Sequence, residues 1–342
     1  MHKSSRTFTD SPAKRDRVPL IIGLSGPSGS GKTYSALELA TGIQSVVGGD
    51  IYGVDTESKR MLHYADYFKF RHVPFTPPFG PLDYMAAFQH CIAKGAKIII
   101  ADSLSHEHDG DGGVLDQIDE FLTKKAGDNW DKRNQYMFLA NAKPKAERKK
   151  LNQFIVQNGD VIWILCYRAQ DKTKPLKKGQ TTADGEKIVH LGWQPITTSP
   201  LVFDMTARFL LGPACEGRPM TNPQEEAEKL MIKNPRQFAG WVKPDQQINA
   251  ELGAKMARWA IGDSAAQPAT TAVPVGMASA ADVKKILSKL AKFGVTEARA
   301  LALIGRQNAA DVTTDDLDIL DGRGLSIWEK RQTVEEAFPP TT

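Results

Sequence analysis

Short apolar runs alternate with amphipathic stretches over the first two thirds of the chain. Runs with the length and the Val, Ile and Leu content of buried strands lie at residues 20–24, 50–54, 97–101 and 161–167. Apolar positions at helical spacing predict helices at residues 33–41, 84–94, 113–122 and 145–157. Strands that alternate with helices form largely parallel sheets covered on both faces. The pattern predicts an α/β core, with later strands, antiparallel ones among the options, at residues 188–191 and 206–211.

The pattern changes near residue 262. Residues 262–280 are rich in Ala, Pro, Thr and Gly and show no regular spacing of apolar positions, which is typical of a linker. Amphipathic helical spacing returns after this stretch, and Thr296 is placed to cap a second short helix. The domains predicted from these changes are a flexible basic arm at 1–17, a core at 18–261, the linker at 262–280 and a small helical domain at 281–342.

Composition narrows the class of protein. The 342 residues are 41% hydrophobic and 25% charged, as in globular proteins. No apolar run approaches the roughly 18 residues that span a bilayer, so we expect no membrane partner. The first 17 residues lack the apolar segment of a signal peptide. Three widely spaced cysteines indicate reduced thiols, so we expect a cytoplasmic protein.

A phosphate-binding loop follows the first predicted strand. It fits the pattern G-x-x-x-x-G-K-[ST] in full and precedes a helix, which is the structural context that this motif requires. Backbone N–H groups of such a loop bind phosphate oxygens, and the helix N-terminus adds partial positive charge. The predicted nucleotide-binding residues are Gly26, Pro27, Ser28, Gly29, Ser30, Gly31, Lys32 and Thr33. Lys32 is expected to reach the β- and γ-phosphates, and the Thr33 hydroxyl to bind Mg²⁺.

Asp102 supplies the second half of a nucleotide site. It ends the apolar run at residues 98–101, where the Asp of a Walker B strand helps to hold Mg²⁺. Because ligands of parallel sheets bind at the carboxyl ends of strands, we expect Asp102 close to the phosphate loop. Thr33 and Asp102 are therefore the predicted magnesium ligands.

Two glutamates are candidates for the residue that activates water. Glu57 follows the second strand, and Glu107 lies on the turn after Asp102. His106 and His108 flank Glu107, but two histidines without a third ligand pattern favour a polar loop over a transition-metal site. At the end of the strand at 161–167, Arg168 or Gln170 is placed to sense the terminal phosphate.

The order of these motifs resembles that of RecA-like ATPases. Such enzymes carry the phosphate loop, a strand ending in Asp-x-Glu, an apolar strand ending in Asp-Ser, and a strand with a terminal Gln. This chain has residues 26–33, Asp55-Thr-Glu57, Asp102-Ser103 and Gln170 in that order. The resemblance implies a RecA-like P-loop core with a mainly parallel sheet, ATP as the nucleotide, Glu57 as the water-activating residue and Gln170 as the sensor.

A more specific resemblance extends over residues 18–240. The run DSLSHEHDGDGGVL at residues 102–115 looks like a segment of phage-encoded RecA-like or AAA-type ATPases, some of which are single-strand annealing proteins. It implies single-stranded DNA as a partner and a bacterial host cytoplasm as the location. It also implies assembly into a filament or ring, and a C-terminal domain that recruits a partner such as a single-stranded DNA-binding protein.

Two basic segments lie where this family contacts DNA. Residues 143–150 are mostly basic around a single Glu, and on a helix starting near Pro144 three of the bases share one face. Residues 171–187, which are expected to form a loop, carry five lysines against three acidic residues. Such clusters attract phosphates and make binding salt-dependent. The predicted DNA-binding residues are Lys145, Arg148, Lys149, Lys172, Lys174, Lys177 and Lys178.

The leading hypothesis is therefore a phage-type ATPase that binds and anneals single-stranded DNA with ATP and Mg²⁺ as cofactors. A small-molecule or nucleoside kinase is the second hypothesis, because the phosphate loop fits it equally well. A nucleotide-gated binding module with little turnover is the third.

Overall fold

The computed structural model describes residues 9–10, 12, 16–176, 187–223, 225–238, 240–263, 278–329 and 332–339. The chain divides into two compact units, Met1–Pro268 and Ala269–Thr342. The strands of the first unit are β1 Ile21–Gly26, β2 Asp50–Asp55, β3 Arg71–Pro74, β4 Ala96–Asp102, β5 Ile162–Pro175, β6 Ile188–Pro195 and β7 Ala207–Leu210. Its helices are α1 Lys32–Val47, α2 Pro81–Ala93, α3 His106–Asp109, α4 Val114–Ala126, α5 Trp130–Gln157, α6 Leu201–Asp204, α7 Glu226–Lys229 and α8 Ala250–Ala260.

Six strands form one parallel sheet in the order β3-β2-β4-β5-β1-β7. The outer part of β5 continues beyond this sheet and pairs in antiparallel fashion with β6. The strands β1, β2 and β4 thus end at one edge, where β5 leaves the parallel sheet, and this edge carries the phosphate loop. The fold class predicted from the sequence is confirmed: an α/β core on a mainly parallel sheet.

Alternate residues of the buried strands enter two separate cores. Along β4, Ile98 and Ile100 face the side of α1 and α8, and Ile99 faces the side of α2 and α5. This alternation follows from the two-residue period of a strand. Because both faces are covered, the strands read as nearly continuous apolar runs.

The helix that follows the phosphate loop is held by close packing against α8. A Cβ on Gly42 of α1 would lie 1.8 Å from the carbonyl oxygen of Ala250, and a Cβ on Gly253 would lie 2.3 Å from that of Leu39. Only glycine permits this approach. The Asn249 side chain accepts a hydrogen bond from Leu252 N and caps α8. The contact fixes α1, and with it the loop, on the sheet.

Three features differ from the sequence-based predictions. The helix expected to begin near Pro144 begins instead at Trp130, and Pro144 lies inside α5. The stretch expected to be a loop from residue 171 is strand up to Pro175. Strand β3 was not predicted, because its four half-exposed residues carry no continuous apolar run.

The second unit is helical. Its helices are α9 Ala280–Ala291, α10 Glu297–Leu303, α11 Thr314–Trp328 and α12 Val334–Ala337. They enclose a small core that includes Leu290, Leu320 and Phe338. The Thr296 side chain accepts a hydrogen bond from Arg299 N, which confirms the predicted cap of α10. Most of the segment predicted as a linker, residues 264–277, lies outside the described residues.

None of the helices in the described parts of the chain combines the length and the apolar character needed to cross a bilayer.

Candidate nucleotide site

The phosphate loop connects β1 to α1 in a conformation that needs glycine. Gly31 has a φ of 90°, which favours glycine, and a Cβ there would lie 2.7 Å from Gly217 N. The loop is supported from outside, since Gly217 N donates to Ser30 O at 2.9 Å. The Ser30 hydroxyl is buried and finds no hydrogen-bond partner among the described residues. A turn with an unpartnered buried hydroxyl and backbone N–H groups at a helix N-terminus fits a phosphate ligand.

Lys32 is held inside this loop. Its ammonium group donates to Gly26 O at 2.9 Å and to Pro27 O at 2.7 Å. Burial lowers its pKa, while the Asp102 carboxylate acts in the opposite direction. The side chain thus lies at the centre of the loop, where the sequence motif requires its positive charge.

Thr33 and Asp102, 69 positions apart, are brought into direct contact. The Thr33 hydroxyl donates to Asp102 Oδ2 at 2.5 Å. Asp102 is buried, which raises the pKa of its carboxyl to about 6, and the hydrogen bond from Thr33 lowers it. Two oxygen ligands side by side at the phosphate loop suit Mg²⁺, which takes few ligands from protein and the rest from water and phosphates. The residues present therefore fit the predicted metal.

Glu57 lies on a turn that Asp55 fixes. Asp55 is buried, and its carboxylate accepts from Glu57 N at 2.8 Å and from Met61 N at 3.0 Å. His72 Nε2 lies 3.0 Å from the same carboxylate. The Glu57 side chain pairs with Arg60 at 2.7 Å. The turn thus holds a carboxylate opposite the phosphate loop.

The phosphate loop, Glu57 and Asp102 border one cleft of about 740 Å³. That volume is in the range of small-molecule sites. Besides Ser28, Gly29, Gly31, Lys32 and Thr33 of the loop, its lining residues are Thr56, Glu57, Ser58, Arg60, His63, Tyr64, Asp102, His106 and Arg168. The structure therefore places the phosphate loop, the Walker B aspartate and Glu57 around a single cleft.

Glu107, the alternative candidate for the water-activating residue, points away from this cleft. Its carboxylate is buried and accepts from Arg148 Nε at 2.7 and 3.1 Å and from Arg148 Nη2 at 2.7 Å. Arg148 Nη1 donates to Thr198 Oγ1 at 2.5 Å. An acid in a buried ion pair has no free oxygen for a water in the cleft, so the structure contradicts the Glu107 alternative.

The same pair corrects the prediction for Arg148. The sequence predicted it as a DNA-binding residue on a basic helix face, but only 6% of it is exposed. Its charge is compensated by Glu107, so it is not available to DNA. Lys145 and Lys149 are on α5, and they line a groove of about 640 Å³ with Thr198 and Arg148 at its wall.

Gln170 also lies elsewhere than the sequence predicted. It is exposed, pairs with Gln194 in the β5–β6 hairpin and does not line the cleft. Arg168, the other sensor candidate, lines the cleft. Strand β5 passes the edge of the parallel sheet near Arg168, so that a residue two positions later is already on the hairpin.

The remaining predicted residues fall into two groups. Lys172 and Lys174 lie on the outer part of β5, opposite Gly192 and Val189 of β6. Lys177 and Lys178 lie outside the described residues. No group of three or more potential metal ligands among His, Cys, Asp and Glu occurs in the described ranges. His106 contacts Thr56 Oγ1 through Nδ1 at 2.7 Å, as part of a polar loop.

Comparisons with known proteins add little to this geometry. No family model matches the chain, and no curated protein sequence matches it. Among solved structures, a KaiC-like protein from the hyperthermophilic archaeon Pyrococcus horikoshii is similar over 59% of this chain and 82% of its own, at 14% identity and a TM-score of 0.27. A similarity of that size carries no argument about function, so the function has to be inferred from the residues of the site.

Proposed function

We propose that this chain is a P-loop ATPase that couples ATP turnover to the binding and annealing of single-stranded DNA, as in phage recombination. The observation that carries the ATPase part is the contact between the Thr33 hydroxyl and Asp102 Oδ2 at 2.5 Å. It joins the two nucleotide motifs at the carboxyl ends of strands in the same parallel sheet. A Gly-rich turn without a nucleotide-binding role would not be expected to contact the terminal Asp of another strand.

Each protein group then has a defined task. Backbone N–H groups of the phosphate loop and the Lys32 ammonium bind the phosphates, and Thr33 with Asp102 would hold Mg²⁺. Bound there, Mg²⁺ supplies positive charge that neutralises the phosphates. Glu57 borders the same cleft and can accept a proton from an attacking water. Its contact with Arg60 at 2.7 Å orients the carboxylate.

The DNA part rests on the position of lysines outside the core. Lys172 and Lys174 extend from β5, the strand that also carries Arg168 at the cleft. Lys145 and Lys149 lie along one groove of α5. Positive side chains at these places would bind backbone phosphates without base specificity. We further propose that the protein assembles on DNA as a filament or ring, and that the C-terminal unit recruits a single-stranded DNA-binding protein.

Phosphate release with and without single-stranded DNA tests this proposal. Wild-type protein with ATP and Mg²⁺ is expected to release phosphate, faster when DNA is present. Lys32→Ala and Glu57→Gln are each expected to reduce the rate at least about 100-fold, of the order of one lost electrostatic or proton-transfer contribution. Lys94→Ala, an exposed lysine at the opposite edge of the sheet, serves as the control. Equal rates in all four proteins would contradict the proposal.

DNA affinity is tested separately by a salt titration. Lys172→Glu with Lys174→Glu is expected to weaken single-stranded DNA binding and to flatten its salt dependence, by about 0.7 in the logarithmic slope for each lost phosphate contact. Lys94→Glu with Lys97→Glu changes the same number of charges at the far edge of the sheet. A similar loss in both double variants would show a general charge effect and would contradict a DNA contact on β5.

One observation favours a second function, a phosphotransferase. A cleft of about 520 Å³ adjoins the nucleotide cleft and offers Asp109, Asp111 and aromatic side chains to an acceptor molecule. Analysis of the products distinguishes the two functions. A phosphorylated small molecule would favour the kinase, and inorganic phosphate whose release depends on DNA would favour the annealing ATPase.

A further inference from the structure

Arg168 lies at the junction of the two adjoining clefts. It lines the nucleotide cleft beside the phosphate loop and also the second cleft, which contains Asp109 and Asp111. The two clefts share four residues, namely Thr56, Ser58, His106 and Arg168. A side chain at this junction can contact a group bound in the nucleotide cleft.

The backbone of Arg168 is fixed next to the phosphate loop. In the parallel pairing of β1 with β5, Arg168 is the register partner of Gly26, the first residue of the loop. Arg168 N donates to Ser105 Oγ at 2.9 Å, and Arg168 O accepts from Ile196 N at 2.7 Å. Cys166, two residues earlier, packs in the core on the α1 side of the sheet. By the alternation of a strand, Arg168 continues this row, on the side where the loop leads into α1.

The guanidinium has a partner that it can exchange. Its Nη2 donates to both carboxylate oxygens of Asp109, at 2.8 and 3.0 Å. The side chains are 37% and 26% exposed, and ion pairs in contact with water contribute little to stability. Arg168 Nε is buried and has no hydrogen-bond partner within the described residues. The Arg168 guanidinium therefore keeps an unpartnered Nε–H donor, and the Asp109 carboxylate holds it only weakly.

We propose that Arg168 recognises the terminal phosphate of the bound triphosphate and that Asp109 is its competing partner. The proposal rests on the proposed function, because it needs a nucleoside triphosphate in the first cleft. A guanidinium fits phosphate oxygens in a forked geometry and stays charged throughout the accessible pH range. On triphosphate binding, Arg168 exchanges the Asp109 carboxylate for the phosphate, and a diphosphate gives it nothing to bind. Arg168 then determines the discrimination between tri- and diphosphate, a role for which the sequence offered Arg168 or Gln170 and which the family resemblance gave to Gln170.

Dissociation constants for AMP-PNP and ADP, both with Mg²⁺, test this assignment. Arg168→Ala is expected to weaken AMP-PNP binding about 10- to 100-fold, which corresponds to a lost hydrogen bond with a charged group. ADP binding should stay within about twofold of wild type. Asp109→Asn removes the competing partner and is expected to strengthen AMP-PNP binding about two- to fivefold, the range of an exposed ion pair, without changing ADP binding.

The combined variant gives the decisive comparison. If Asp109 acts through Arg168, then Asp109→Asn changes nothing in a protein that already carries Arg168→Ala. Arg168→Lys should restore part of the AMP-PNP affinity. Arg71→Ala and Asp50→Asn alter another exposed ion pair, at the amino ends of β3 and β2, and should leave both constants unchanged.

The contradicting outcomes are separable. Wild-type protein that binds neither nucleotide overturns the proposed function and this inference with it. Wild-type protein that binds both, with variants that change the two constants equally or not at all, overturns only the role of Arg168. If Arg168→Ala does not fold, Asp109→Asn and Arg168→Lys decide alone, and an unchanged ratio of the two constants in both of them refutes the assignment.

Discussion

Replacing Arg148 by methionine is expected to destabilise the first unit by about 3–5 kcal/mol, the usual cost of removing one partner from a buried ion pair. The guanidinium donates to Glu107 in three contacts of 2.7 to 3.1 Å. Only 2% of Glu107 is exposed. In Arg148→Met its carboxylate loses these donors while remaining buried. It must then ionise without a partner or take up a proton, and both alternatives cost free energy.

The double replacement separates charge from packing. Glu107→Leu alone leaves the Arg148 charge buried and should cost a similar amount. Glu107→Leu together with Arg148→Met removes both charges and keeps most of the volume. Such replacements are often neutral or stabilising, so the double variant is expected within about 1 kcal/mol of wild type.

Urea unfolding at pH 7, with the slope of the free energy against urea compared across variants, measures these differences. The exposed pair of Arg71 and Asp50 provides a matched control, since Arg71→Met should cost less than about 1 kcal/mol. Two results would refute the reasoning. One is a cost below about 1 kcal/mol for Arg148→Met, and the other is a double variant that loses as much as both single variants together.

The double variant also tests the roles that the sequence suggested for these two residues. If the pair is structural, the folded double variant should release phosphate and bind single-stranded DNA within about twofold of wild type. A folded double variant without turnover would indicate that Glu107 takes part in catalysis. A folded double variant that has lost DNA binding would indicate that Arg148 contacts DNA.

Two further predictions concern packing and pH. Gly42→Ala should destabilise the first unit by about 1–3 kcal/mol, because its Cβ would lie 1.8 Å from the Ala250 carbonyl oxygen. Gly322 of α11 has open space around it, so Gly322→Ala should stabilise the second unit by about 0.5–1 kcal/mol. The same urea experiment measures both changes. Burial lowers the pKa of His106 and of His108, so the folded state resists their protonation, and these two rings should lower the free energy of unfolding as the pH drops below about 6.5, whereas the raised pKa of Asp102 acts in the opposite direction over the same range. His106→Gln with His108→Gln should remove their contribution in urea titrations between pH 7 and pH 5, and a pH dependence identical to that of the wild type would contradict the resistance of these two half-buried rings to protonation.

The contact between the two sequence motifs could be predicted because local signals specify both of them. The phosphate loop is a continuous motif, and Asp102 ends an apolar strand that can be read from the sequence. Their meeting follows from topology, since parallel strands that alternate with helices end at the same edge. The contact of Thr33 with Asp102 therefore needs no knowledge of the intervening residues beyond their strand and helix pattern.

The errors arise where the signal is not local. Arg148 sits in a basic run whose spacing fits a solvated helix face, but its partner Glu107 is 41 positions earlier in the chain. Gln170 follows a predictable strand, yet the length of β5 depends on pairing with β6, which comes after it in the chain. Pro144 reads as a helix start, but it lies inside α5, which packs against α4 and α2. For Arg148 and Gln170, a distant segment overrides the local preference.

Residues 102–109 take part both in contacts that the sequence predicted and in contacts that it did not. Within this short segment the chain supplies the acid of the proposed metal site, anchors the backbone of β5 and forms both Arg pairs. These contacts are Asp102 with Thr33, Ser105 with Arg168 N, Glu107 with Arg148 and Asp109 with the Arg168 side chain. The buried Glu107 pair holds α3 firmly against α5, whereas the exposed Asp109 pair at the other end of the same short helix can open. Under the role that we propose for Arg168, a rigid anchor beside an exchangeable contact lets Arg168 change partners while Asp102 and the phosphate loop keep their positions, which suits the recognition of a terminal phosphate.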